Sequence, residues 1–512
     1  MLPGLKRLGT WEPRRLLLPL AVAAIAISYA SFTTAGTFTK WPTWNTTYDE
    51  MAEGFRAGHL YIPMQPSAEL LAQPNPYAWS NERYWYWDAS LYKGHYYWYW
   101  APFPGLAVAA FKILFRINQP VGDQYPLFAF YLIYLGAGAA FIHRMARRLF
   151  PAVSTTFVLF AILIFAYANP TPHGLATPGG YHAAIAGGQA FLLLGLVFAF
   201  DAVWTSERGS PPPRRRLLLA AGASWVIAIC CRVSLTPAIL LIGCFTLIAI
   251  PRHRAERWRR LFRDGVLLLG PIAAGVLALL AYNKVRFDEW FEFGLVYQLN
   301  TLSLRPKLSY LPLNIYSYLL RPIGTSCEFP FVFAIHQIGA RGFPGMTRLP
   351  EGYSTPEPLV GLFPSAPWTL LSLLGVGLAI RTIARRFRSD RSFVPSDRRG
   401  SVELWCVAVF AVMSTVPLLP VVAAPATTMR YAADISAGMV LFATWGVWTV
   451  HAHTREMRRG WRWSAFAAVV ALAASTILFG VLLGFQGYDD MFKNHNPALY
   501  DLLVRRLSLC GS

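Results

Sequence analysis

Apolar residues in this chain fall into long runs, separated by short stretches crowded with arginine. The runs cover about 16–35, 125–143, 152–168, 183–204, 217–231, 232–250, 264–283, 367–380, 401–424, 435–451 and 463–485. Most approach or exceed the roughly 18–20 residues that cross a bilayer as a helix. The pattern predicts an all-α polytopic membrane protein with about eleven spans. A further run, 101–117, opens with Ala101-Pro102-Phe103-Pro104-Gly105 and carries Lys112 and Arg116. Charge decides whether it crosses. Basic clusters lie at 6–15, 144–148, 208–216, 252–263, 381–399 and 455–462. Arginine-rich loops stay on the cytoplasmic side. All six do so only if 101–117 lies in the interface as a juxtamembrane helix. The N-terminus is then inside. The predicted outer face holds a first loop at 36–124, a short loop near 169–182, a junction at Arg232, a long loop at 284–366, a short loop at 425–434 and a tail at 486–512. Residues 1–485 form one transmembrane domain.

Composition agrees with this reading. Of 512 residues, 55% are hydrophobic and only 14% charged, against about 25% charged in a soluble domain. A soluble enzyme and a disordered chain are both excluded. The net charge of +20 sits in short loops between apolar runs, so it reports membrane orientation and not nucleic-acid binding. Cys230, Cys231, Cys244 and Cys406 lie in apolar runs, as packing residues do. Cys327 and Cys510 both fall outside, where a disulfide is chemically allowed. No Walker loop, GxGxxG, HExxH or metal-spaced Cys/His cluster occurs, so the sequence points to no ATP, dinucleotide or structural zinc.

The outer loops carry the candidate chemistry. Asp49 and Glu50 form an acidic pair just beyond the first run, at the start of a predicted helix. Asp49 reads either as a helix N-cap or as a general base at the membrane surface. Downstream, Tyr84-Trp85-Tyr86-Trp87-Asp88 and Tyr92-Lys93-Gly94-His95-Tyr96-Tyr97-Trp98-Tyr99-Trp100 concentrate aromatic residues. Such rings suit the headgroup layer and equally a sugar-binding wall, with Asp88 and His95 inside it. Arg232 interrupts about 34 almost uncharged residues, and charge within a membrane is functional by default.

Asp49-Glu50, then Ala52, then Gly58-His59-Leu60-Tyr61-Ile62-Pro63, resembles the first-loop signature of the GT-C membrane glycosyltransferases. The branch it is most similar to is the protein-mannosyltransferase-like and aminoarabinose-transferase-like one. Leu91-Tyr92-Lys93-Gly94-His95-Tyr96-Tyr97, followed by Ala101-Pro102-Phe103-Pro104-Gly105, resembles that group's second first-loop motif, which precedes a non-crossing helix. His143-Arg144-Met145-Ala146-Arg147-Arg148-Leu149-Phe150 is similar to its first cytoplasmic turn. Cys231-Arg232-Val233-Ser234, Asn283-Lys284-Val285-Arg286-Phe287, Glu292-Phe293-Gly294 and Met429-Arg430-Tyr431 resemble later motifs.

The resemblance implies transfer of a sugar from a polyprenyl-phosphate donor to an acceptor hydroxyl at the outer face, with inversion at the sugar carbon. It implies Asp49 as general base and Glu50 as the residue placing the acceptor or a metal. Arg232 and Arg430 would grip the donor phosphate, a task suited to forked guanidinium geometry. His59, Asp88, His95, Tyr97 and His182 are expected to line the acceptor or sugar site. Many members carry an acid in the second outer loop; here 169–182 has none, leaving His173 or His182 in its place and metal dependence open. The implied partners are a lipid-linked sugar, a lipid, polysaccharide or protein acceptor, and membrane lipids. Inner loops rich in Arg, Ala and Leu point to a bacterial inner membrane and its cell envelope. The alternatives are a transporter or lipid flippase, though no matching halves are visible, and a non-catalytic member of the same fold.

Overall fold

The computed structural model describes residues 16–205, 214–250, 257–300, 306–336, 343–354, 357–389, 398–453 and 459–510. The basic cluster at 6–15 lies outside the described residues, as do parts of the clusters at 208–216, 252–263, 381–399 and 455–462. A chain within lipid must satisfy its own N–H and C=O groups. Each of the eleven expected spans is accordingly a helix. These are α1 (Leu17–Thr33), α4 (Gln124–Leu149), α5 (Thr155–Tyr167), α6 (Gly180–Trp204), α7 (Arg214–Cys231), α8 (Thr236–Ala249), α9 (Arg257–Phe287), α10 (Leu371–Ser389), α11 (Arg398–Thr415), α12 (Ala433–His453) and α13 (Arg459–Gln486). Between α1 and α4 lie α2 (Thr47–Arg56) and α3 (Phe103–Phe115), and α14 (Pro497–Leu507) closes the chain.

Among the described residues, seven helices are long and apolar enough to cross a membrane: α4, α6 and α9 to α13. α1, α5 and α8 are apolar but shorter, and α7 opens with three arginines. Helix α6 is the buried axis of the bundle. Its Gly195 lies directly under the Trp225 ring of α7, where a Cβ would collide; small residues allow such close approach between helices in lipid. At 13 residues, α3 reaches only about 20 Å. It packs along α2, with Gly105 against Met51, as expected of the juxtamembrane helix.

The two ends of the bundle differ. At one end Asp201, near the close of α6, binds Arg144 at 3.1 Å and Arg148 at 2.7 Å. Arg399 donates to the Leu149 carbonyl at 2.6 Å, and Arg214 donates to the Ala202 carbonyl at 3.2 Å. Arg144, Arg148, Arg214 and Arg399, from three of the basic clusters, therefore gather at one end. The opposite end of α4 begins beside the acidic pair, at Asp123. Since α4 has 26 residues, the two ends are about 39 Å apart.

At the acidic end the first loop forms a hairpin, β1 (Ser90–Tyr92) against β2 (His95–Tyr97). Lys93 and Gly94 turn it with φ of 47° and 78°, the doubly left-handed turn that matches strand twist. At this end also, Cys327 and Cys510 form a disulfide with Cα atoms 5.5 Å apart. It fastens α14 to the long loop, assisted by Leu509 N–H donating to the Cys327 carbonyl at 2.8 Å. Maleimide labelling of denatured protein should modify four cysteines without reductant and six after reduction. Six in both cases would exclude the bridge.

Candidate functional site

Helix α2 carries the acidic pair, and its N-terminus is capped from a distance. The Asp123 carboxylate accepts from Thr47 N–H at 3.2 Å and Tyr48 N–H at 3.0 Å. The capping role that position alone allowed Asp49 is thus filled by Asp123. Burial pushes the Asp123 carboxyl up to about 7, against the opposing pull of those N–H donors. Tyr48 donates to the Gly180 carbonyl at 3.0 Å, while Gly180 N–H donates to Asn45 Oδ1 at 3.2 Å. The starts of α2, α4 and α6 are therefore tied into one hydrogen-bonded ring.

Successive helical residues point about 100° apart, so the two acids face different surroundings. Asp49 faces α3. Its Oδ1 lies 2.5 Å from Lys112 Nζ and accepts from Val121 N–H at 3.1 Å. Lys112 also reaches Glu53 at 2.6 Å. Both Asp49 and Lys112 are buried. This is a staple holding the juxtamembrane helix against α2.

Glu50 faces the aromatic hairpin. Its Oε1 accepts from the Tyr86 hydroxyl at 2.8 Å and from Thr46 Oγ1 at 3.3 Å; its Oε2 accepts from Trp98 Nε1 at 3.0 Å. Burial holds its carboxyl above the usual carboxylate range, although these three hydrogen bonds and the Asp49 charge also act on it. The strand alternates faces. Tyr96 and Trp98 turn to Tyr86, with ring centroids at 5.7 and 5.4 Å.

His95 and Tyr97 turn the other way. His59, Tyr61 and His95 form one stack with centroids at 3.8 and 4.1 Å, and Tyr97 meets Tyr61 and Phe287. The structure therefore brings His59, His95 and Tyr97 together, but on the face of the hairpin opposite Glu50. Asp88 sits in a left-handed conformation with φ of 65° and accepts from Gln298 Nε2 at 3.2 Å.

A run of rings leads from Glu50 to the arginines. Trp98 lies 4.8 Å from Trp100, Trp100 lies 4.8 Å from Tyr181, and the Arg430 guanidinium lies 4.3 Å above Tyr181. Arg430 and Arg232 both flank Tyr431, at 5.5 and 5.3 Å. The two arginines expected to act together are thus neighbours, and each already has a carboxylate. Arg232 is forked onto Asp434, with its Nε 2.9 and 3.0 Å from the two oxygens. Arg430 Nη1 meets Glu357 of the long loop at 2.5 Å, while its buried Nε has no partner among the described residues. His182, buried at the start of α6, adjoins Tyr181. Burial pushes His173 down to about 4, so it is neutral at physiological pH. Among the described residues, no three His, Cys, Asp or Glu side chains converge as metal ligands would.

Sequence reasoning missed Asp123, Lys112 as the partner of Asp49, and the carboxylates Glu357 and Asp434. Only Lys112 left a signal, as a lysine in an apolar run.

No protein-family model matches the chain, and no curated protein matches it. Similar solved structures exist. The Archaeoglobus fulgidus oligosaccharyltransferase in the apo form is 12% identical, with a TM-score of 0.45 over 93% of this chain and 57% of that one. The archaeal oligosaccharyltransferase AglB of the same organism, in complex with an inhibitory peptide and a dolichol-phosphate, is 12% identical, with a TM-score of 0.47 over 92% and 56%. ArnT from Cupriavidus metallidurans, bound to undecaprenyl phosphate, is 14% identical, with a TM-score of 0.42 over 95% and 79%. This chain spans little more than half the length of the oligosaccharyltransferase chains.

Proposed function

We propose that the chain transfers a sugar from a polyprenyl-phosphate donor to an acceptor hydroxyl at the non-cytoplasmic face, with Glu50 as the general base. The observation that carries this is the setting of Glu50. It is a half-buried carboxylate on an aromatic wall, raised in pKa, and linked by Trp98, Trp100 and Tyr181 to a pair of arginines. A base works best when its pKa approaches ambient pH. Burial shifts Glu50 upward, in that direction, whereas the Asp49 carboxylate is committed to Lys112 and Val121. In the step proposed, the acceptor oxygen attacks the anomeric carbon and its proton passes to Glu50. The carbon–oxygen bond to phosphate breaks, and the electron pair leaves with the phosphate. Arg430 receives that charge, and Arg232 holds the neighbouring Tyr431 in place. Asp49 keeps α2 and α3 in register. The disulfide supports the side, because such bonds persist outside the cytoplasm.

The deciding measurement is lipid mass spectrometry of a deletion strain. A carrier-linked sugar should accumulate, disappear on complementation with the wild type, and persist with Glu50→Gln. Unchanged lipid pools in the deletion strain would overturn the reading.

Glu357 occupies the guanidinium that the phosphate would need. Removing this competitor should tighten polyprenyl-phosphate binding about three- to tenfold in Glu357→Gln, since charge-assisted bonds contribute about 1.5–3 kcal/mol and part is lost to water. Arg430→Gln should weaken binding. Titration of purified protein with the lipid phosphate checks both.

A further inference from the structure

The arginine-rich end holds a cavity of ≈ 800 Å³ between α1, α4 and α5. It lies where the last turns of α4 meet the first turns of α1 and α5. The cavity divides by polarity. Leu18 of α1 with Val158 and Leu159 of α5 form an apolar part; His143 and Arg147 of α4 with Thr155 form a polar part.

The charges of this turn are unequally used. Arg144 and Arg148 both bind Asp201 on α6. Arg147 is exposed, lines the cavity, and forms no ion pair among the described residues. Snorkelling into water would account for an isolated arginine. It does not account for a recess whose apolar part continues beneath that arginine.

We propose that this recess binds one anionic phospholipid of the arginine-side leaflet, with its phosphodiester on Arg147 and its upper acyl chain against Leu18, Val158 and Leu159. Basic pockets between helices at the cytoplasmic surface take such headgroups. The assignment is independent of the sugar-transfer site at the other end.

Native mass spectrometry of the purified full chain, with phosphatidylglycerol and phosphatidylcholine added in equal amounts, tests it. The wild type should retain phosphatidylglycerol preferentially. Arg147→Gln should lower that retention about fivefold, the scale of one basic residue at an anionic surface. Arg215→Gln, an exposed arginine on the first turn of α7, should leave it unchanged. Leu159→Trp fills the apolar part without touching charge and should also lower retention, with thermal melting confirming that each variant is folded. Equal retention of the two lipids by the wild type, or unchanged phosphatidylglycerol in both cavity variants, overturns the proposal. So does displacement of the lipid by free glycerol phosphate, which would assign the site to the headgroup alone.

Discussion

Glu50→Gln should lower sugar transfer about 10²- to 10⁴-fold, the usual contribution of a positioned base, while leaving the fold intact. The amide oxygen can still accept from Trp98 Nε1 and the amide NH2 can donate to the Tyr86 hydroxyl, so packing on the hairpin is retained. What it cannot do is take a proton. The wild-type pH profile should show the same group. Glu50 is active only when ionised, and burial raises its pKa. As pH falls, transfer should therefore begin to fail above the range in which an exposed carboxylate titrates. A folded Glu50→Gln protein with wild-type transfer would remove Glu50 from the chemistry.

Lys112→Met should be among the most damaging single changes outside the aromatic wall. The Lys112 side chain is 1% exposed and that of Asp49 only 8%. Removing the ammonium leaves the Asp49 carboxylate buried with only the Val121 N–H. Breaking one partner of a buried pair costs about 3–5 kcal/mol. Thermal unfolding in detergent should record the loss. Adding Asp49→Asn to Lys112→Met should recover most of the stability, because no uncompensated charge remains. The same double variant separates the two acids. If Asp49 serves only as a staple, the refolded protein transfers sugar. If it is folded but inactive, the base is Asp49 after all, and the role given to Glu50 is wrong.

The two predictions differ because of a rotation that the linear sequence does not display. Asp49 and Glu50 are adjacent, both acidic, and both in the first turn of α2. Only the positions of α3 and the hairpin decide that one meets a lysine and the other meets Tyr86 and Trp98. The interfacial nature of 101–117 was readable from charge, because a crossing there would scatter the arginine clusters. Its lysine was visible as an anomaly, but its partner 63 residues away was not. Asp123 gave no local signal, since it caps a helix that begins 76 residues earlier. The aromatic tract was legible as a composition; its division into two faces required a hairpin whose turn falls at Lys93-Gly94. Arg232 and Arg430 were legible as charges at helix ends, whereas Asp434 and Glu357 became visible as their partners only once the outer segments were brought together.

The sequence by itself determined the number and order of the helices, the end that gathers Arg144, Arg148, Arg214 and Arg399, and which cysteines lie in apolar runs. Those properties follow from transfer energies that add residue by residue along each segment. The tertiary structure decided which carboxylate meets a lysine and which meets the aromatic donors, which rings share a face, and which arginines are neighbours. Those depend on side chains far apart in the chain meeting at hydrogen-bonding distance, a condition that no single segment's energy contains.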